Sequence, residues 1–184
     1  MNDAASKQFE AASFAFDAAN AADPRVLRVR GEARPFALGE AELATWWLHE
    51  LEPDASEALR LAVRAHHLRR WETPRSSYPD GRAGYLAWRK HLYDVAFDNA
   101  AATLRANGYP DDTVERVGDL MHKRNLKTDA EAQTYEDVLC LVFLESQFTD
   151  FAQRTDPDKL DGIVTKTLAK MSDRAKTAWE AFAG

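Results

Sequence analysis

EDVLCLVFLE, residues 136–145, lies in a helix-forming stretch from Asp129 to about Arg154 whose apolar side chains, Val138, Leu139, Leu141, Val142, Phe143 and Leu144, cover every side of a helical projection. A helix tolerates that pattern only where other helices surround it. The stretch therefore predicts a central, covered helix, and with it an all-α domain. Its few polar positions gain weight for the same reason. Glu136 and Asp137 are either binding groups or acids placed favourably at the positive end of the helix dipole.

On the C-terminal side, one amphipathic helix is predicted over about 158–182, opened by Asp156-Pro157. On the N-terminal side, a short helix follows Pro110. Before that a long one covers about 82–107, with Tyr85, Leu86, Trp88, Leu92, Val95 and Leu104 on its inner face and Gly108 as its stop. Two prolines and a glycine in ETPRSSYPDG, residues 72–81, predict a loop, the kind of segment that carries function on a rigid scaffold. Ser56 predicts an N-cap for a helix running through Leu59, Val63, His66, His67 and Trp71. Leu43, Trp46, Trp47 and Leu51 mark a helix over about 38–51, and Phe9, Phe14 and Phe16 one over about 4–21, ended by Asp23-Pro24. Val26, Leu27 and Val29 alternate like a strand, but no strand-like partner stands elsewhere, so they are read as a connector. The expected architecture is a single compact domain over residues 1–184, with about six or seven helices.

The bulk composition narrows the class. The 184 residues are 45% hydrophobic and 29% charged with 8 Gly and 7 Pro, which places the chain among globular proteins rather than disordered or fibrous ones. The lone cysteine, Cys140, excludes an intrachain disulfide and a cysteine-based zinc site, and is read as buried filler. No basic start followed by an apolar stretch marks a signal peptide, and no apolar run approaches the ~20 residues that span a bilayer. A cytoplasmic, non-membrane protein is expected. The net charge of −6 argues against general nucleic-acid binding.

Charge is distributed unevenly. Residues 60–90 hold eight bases against two acids, Glu72 and Asp80, so this segment carries +6 and the remainder −12. Seven of those bases are arginine, whose planar fork grips phosphate or carboxylate at two points and stacks on aromatic rings. Trp71, Tyr78, Tyr85 and Trp88 supply such rings as a candidate aromatic wall. An anionic small molecule or a nucleotide suits this chemistry; arginines paired with acids on neighbouring helices would use the same residues structurally. His66 and His67 are adjacent, so on one helix they point roughly a third of a turn apart and only one is expected to serve a small site. A histidine on an apolar face is otherwise a hydrogen-bonded core residue.

A histidine on one helix and an aspartate on a later, strongly apolar helix match the logic of metal phosphohydrolases, in which imidazole and carboxylate hold a divalent ion that activates water. The arrangement resembles the HD-domain superfamily, with two departures. His66-His67 is followed by Leu68 where that pattern has Asp, and no histidine stands at the first ligand position, where Glu42 or His49 lies nearest. Longer stretches, PDASEALRLA at 53–62, HLRRWETPRSSYPDGRAGYLAWR at 67–89 and LKTDAEAQTYEDVLCLVFLE at 126–145, are similar to the "domain of unknown function 4202" family. That resemblance implies a helical, HD-like domain, with Ala96 where members are expected to carry a histidine. The expected function is a metal-dependent hydrolase of a phosphorylated or other anionic small molecule. His67, Glu136 and Asp137 would form the catalytic group, with one divalent ion on His67 and Asp137, while Arg70, Arg75, Arg89 and Lys123 would hold the anion. The alternative is a non-catalytic module that binds a nucleotide or an acidic partner through the same arginines and aromatics.

Overall fold

Three oxygen-bearing side chains start helices where the sequence changes from turn to apolar repeat. Ser56 accepts from the Leu59 amide, Asp129 from the amides of Glu131 and Ala132, and Ser172 from the Ala175 amide. Each satisfies a backbone donor that the first helical turn leaves without an intrahelical partner. The structure, a computed structural model, describes residues 3–148 and 157–184. Among these residues the chain forms eight helices: α1 (Asp3–Asn20), α2 (Phe36–Leu51), α3 (Glu57–Ala65), α4 (Gly81–Ala106), α5 (Asp111–Met121), α6 (Ala130–Ser146), α7 (Pro157–Leu168) and α8 (Asp173–Ala183).

The central position expected for α6 is the one it occupies. Helix α2 packs along α6 and α3, α3 along α5, and α8 closes over α2 and α6. Ten of its residues are buried, Glu136 and Asp137 among them. The core draws Phe16 from α1, Trp47 from α2, Leu59 and Leu61 from α3, Leu120 from α5 and Leu141 from α6, all at most 1% exposed. Burial of each such side chain contributes about 1.5–3 kcal/mol of transfer free energy. No described helix is long and apolar enough to cross a membrane.

Three expectations need correction. Residues 26–29 are not a connector: β1 (Val26–Val29) pairs antiparallel with β2 (Glu32–Pro35), Leu27 opposite Arg34. Arg30 and Gly31 both have positive φ, 49° and 93°, as a two-residue hairpin turn with the right twist requires. The turn makes this hairpin, because the partner EARP carries little strand propensity of its own.

The helix expected to run through Trp71 ends at Ala65. Residues 66–69 turn, Arg69 adopts the left-handed conformation (φ 57°), and Arg70–Glu72 forms a short 3₁₀ segment. The single C-terminal helix expected over about 158–182 is two, α7 and α8, which takes the count from the expected six or seven to eight among the described residues. The break is fastened from outside: Asp137 accepts from the Ser172 amide (2.8 Å) and hydroxyl (2.6 Å), and the Gln133 side chain donates to the Lys170 carbonyl (2.9 Å). The stretch of the expected central helix up to Arg154 lies partly outside the described residues.

Candidate functional site: a cationic cavity beside a histidine pair

The early end of α3 changes the meaning of the two histidines. On a continuous helix they would diverge. Beyond the last turn they stack, ring centroids 4.2 Å apart, and both line one cavity of about 560 Å³ between α2, α4, α6 and α7. Expecting only one histidine at the site rested on helical geometry that stops at Ala65.

Hydrogen-bond partners fix both tautomers. Arginine can only donate, so the 2.9 Å contact from Arg70 Nη1 makes His67 Nε2 an acceptor. His67 Nδ1–H then donates to Glu40 Oε2 at 2.9 Å, and the other oxygen of Glu40 accepts from Gln147. His66 Nδ1–H donates to the Val63 carbonyl at 2.9 Å, which leaves the lone pair on Nε2; that nitrogen is buried and has no hydrogen-bond partner. Burial lowers the His66 pKa to about 3, with the neighbouring His67 adding to the shift. Burial, then Arg70, Lys123 and Arg89, hold His67 well below the usual imidazole range. Both rings are neutral at physiological pH. Glu40 is 1% exposed, and burial raises its carboxyl pKa.

The rest of the wall is cationic and aromatic. Arg70, Arg89, Lys123, Lys166 and Lys170 line it against two carboxylates, Glu40 and Glu136. With neutral histidines, cations outnumber carboxylates by three. Glu136 is engaged by Lys123 and by Lys170 at 3.5 Å. Arg70 lies over the Trp88 ring (5.3 Å) and Arg89 over Tyr85 (5.9 Å); Arg89 also donates to the Tyr93 hydroxyl at 2.5 Å. Neither arginine has a carboxylate within ion-pair distance among the described residues. Burial pushes the Tyr93 phenol upward, but Lys123 and Arg89 outweigh it and the pKa falls below the ordinary value. Lys123 stands at a non-glycine positive φ of 56°, just past the end of α5. Such backbone costs of order 1 kcal/mol or more and persists where surrounding contacts hold it.

His67, Glu136, Arg70, Arg89, Lys123, Tyr85 and Trp88 thus meet on one cavity wall. Four other expected site residues lie elsewhere. Asp137 is fully buried and spends its oxygens on Ser172 and on Gln133 (2.9 Å). Arg75 folds its own loop by donating to the carbonyls of Tyr78 and Pro79, both at 2.9 Å. Tyr78 sits near His91, ring centroids 6.0 Å apart, and Trp71 lies in the 3₁₀ turn off the cavity wall.

Sequence reasoning passed over Glu40, Tyr93, Lys166 and Lys170. Glu40 had a signal: it falls in the repeat Ala37, Glu40, Ala41, Ala44, Trp47, an acid among core positions of α2. The lysines had none, because α7 reaches the cavity only through the break before α8. Cys140 is buried as expected, on the cavity wall, and burial raises its thiol to about 12.

Glu40, His66 and His67 each offer one ligand atom, all within 4.8 Å of one another, and this group could hold a metal ion. A family model described as "Domain of unknown function (DUF4202)" matches residues 10–183. No curated protein and no solved structure matches the chain.

Proposed function

We propose that this chain, which belongs to the DUF4202 family of domains of unknown function, binds a phosphorylated small molecule in the cavity between α2, α4, α6 and α7. The observation that carries the reading is the unbalanced cationic wall: Arg70 and Arg89 are partly buried, lack carboxylate partners among the described residues, and face the same space as Lys123. A phosphate ester supplies the missing charge and accepts several charge-assisted hydrogen bonds at once. The exposed Tyr85 and the half-buried Trp88 form a stacking surface for an organic group such as a nucleobase.

Calorimetric titration with AMP tests this. Arg89→Ala is expected to weaken binding by roughly 10-fold or more, the worth of one charge-assisted hydrogen bond. Absence of AMP and inorganic phosphate binding by the unaltered protein at millimolar concentration would refute it.

A second reading, the metal-dependent hydrolase, is favoured by the unpartnered Nε2 of His66. Glu40, His66 and His67 would hold the divalent ion, which when bound would activate water as a Lewis acid. This is a different set from the His67–Asp137 pair suggested by the HD-like pattern, since Asp137 is committed to Ser172. Two features weigh against it: Arg70 occupies His67 Nε2, and the surrounding cations repel a further positive charge. Titration with manganese, iron, zinc and magnesium separates the readings. Stoichiometric metal lost in His66→Ala would favour the hydrolase.

A further inference from the structure

The unpartnered acceptor in the cavity constrains what kind of phosphate compound it takes. Of the four imidazole nitrogens in the pair, three are used: His66 Nδ1 by Val63, His67 Nδ1 by Glu40 and His67 Nε2 by Arg70. The fourth, His66 Nε2, is a bare lone pair on a residue 3% exposed that lines the cavity. A buried acceptor left without a donor is unfavourable, so the complete site includes a donor at this point. The donor is a neutral one, because an ammonium group would meet Arg70, Arg89 and Lys123. It is also close to the anion: only the 4.2 Å stack of His66 on His67 and the 2.9 Å contact from His67 to Arg70 separate this acceptor from the nearest arginine.

Resting on the reading that the cavity binds phosphate compounds, we infer that it selects hydroxylated phosphate monoesters, of the polyol or sugar phosphate type. A hydroxyl a few atoms from the phosphate donates to His66 Nε2 while Arg70 and Arg89 hold the phosphate. His66 is then a specificity residue, discriminating esters that carry the hydroxyl from those that lack it. A site built to receive a hydrogen bond disfavours the analogue without the group, because its acceptor is buried again unpaired.

The test compares glycerol 3-phosphate with n-propyl phosphate, which has the same chain without hydroxyls, by calorimetry on the full chain. Inorganic phosphate serves as the reference probe. Glycerol 3-phosphate is expected to bind roughly tenfold more tightly than n-propyl phosphate, about 1.4 kcal/mol. In His66→Phe, which keeps a ring against His67 but has no lone pair, the two esters are expected to bind alike, at the affinity n-propyl phosphate has for the unaltered protein. If inorganic phosphate binds and the unaltered protein does not distinguish the esters, the inference is overturned while the anion site stands. If neither ester nor inorganic phosphate binds, the underlying reading fails and takes the inference with it. Should His66→Phe not fold, the comparison of the two esters on the unaltered protein decides alone.

Discussion

Replacing Asp137 by alanine removes the acceptor that joins the central helix to the start of the last one. Its carboxylate is fully buried and receives three hydrogen bonds, from the Ser172 amide at 2.8 Å, the Ser172 hydroxyl at 2.6 Å and the Gln133 side chain at 2.9 Å. Gln133 keeps a second partner in the Lys170 carbonyl, so its loss is partial. The Ser172 amide and hydroxyl lose their acceptor in a part-buried place, and the Ser172 cap on Ala175 loses its orientation. Two charge-assisted bonds and a weakened cap amount to about 3–4 kcal/mol. For a chain of this size that lowers Tm by roughly 6–16 °C.

Asp137→Asn is expected to cost far less, about 1 kcal/mol, because the amide oxygen serves the backbone donor and the serine hydroxyl can rotate to accept from the amide nitrogen. Thermal and urea unfolding measure both variants, and calorimetry with AMP measures the cavity. The expected outcome is a large loss of stability in Asp137→Ala with AMP affinity unchanged below the unfolding transition. Unaltered stability together with abolished AMP binding would refute this assignment and return Asp137 to the functional site.

Two further outcomes follow from packing and charge. A Cβ on Gly84 would lie 1.9 Å from the Pro79 carbonyl oxygen, where the 73–80 loop rests on the first turn of α4. Gly84→Ala should therefore destabilise by about 1–3 kcal/mol despite the better helix propensity of alanine, and a raised Tm would contradict the close approach. The His66 pKa falls from 6.5 to about 3 on folding, so above pH 6.5 the ring is neutral in both states and its effect on stability does not vary with pH. Below 6.5 the unfolded chain takes up a proton that the folded one refuses, and stability drops by about 1.4 kcal/mol per pH unit. Urea midpoints at pH 7 and pH 4.5 should differ by less in His66→Phe than in the unaltered protein; equal pH dependence would show that His66 is not buried neutral.

Much of the fold is written in local pattern. The all-round apolar run 138–144, the cap at Ser56 and the stop at Gly108 act within a few residues of themselves, so the helices they define can be read directly. The cationic excess of residues 60–90 is equally legible, because charge needs no structure to be counted. What tertiary structure decided is where those charges went. Arg70 and Arg89 meet in the cavity only because α3 stops at Ala65, and the chain turns through the left-handed Arg69 before the 3₁₀ segment at Arg70. Arg75, of the same type in the same segment, closes on the carbonyls of its own loop. Glu40 on α2 and the adjacent His66 and His67 just past α3 become one cluster through packing of α2 on α3. Asp137 takes its donors from the break at Ser172, which depends on contacts far apart in the chain. Residue type and periodicity determine which side chains carry charge and which helices form; the partner each polar group finds is a long-range property, set when the helices close on one another.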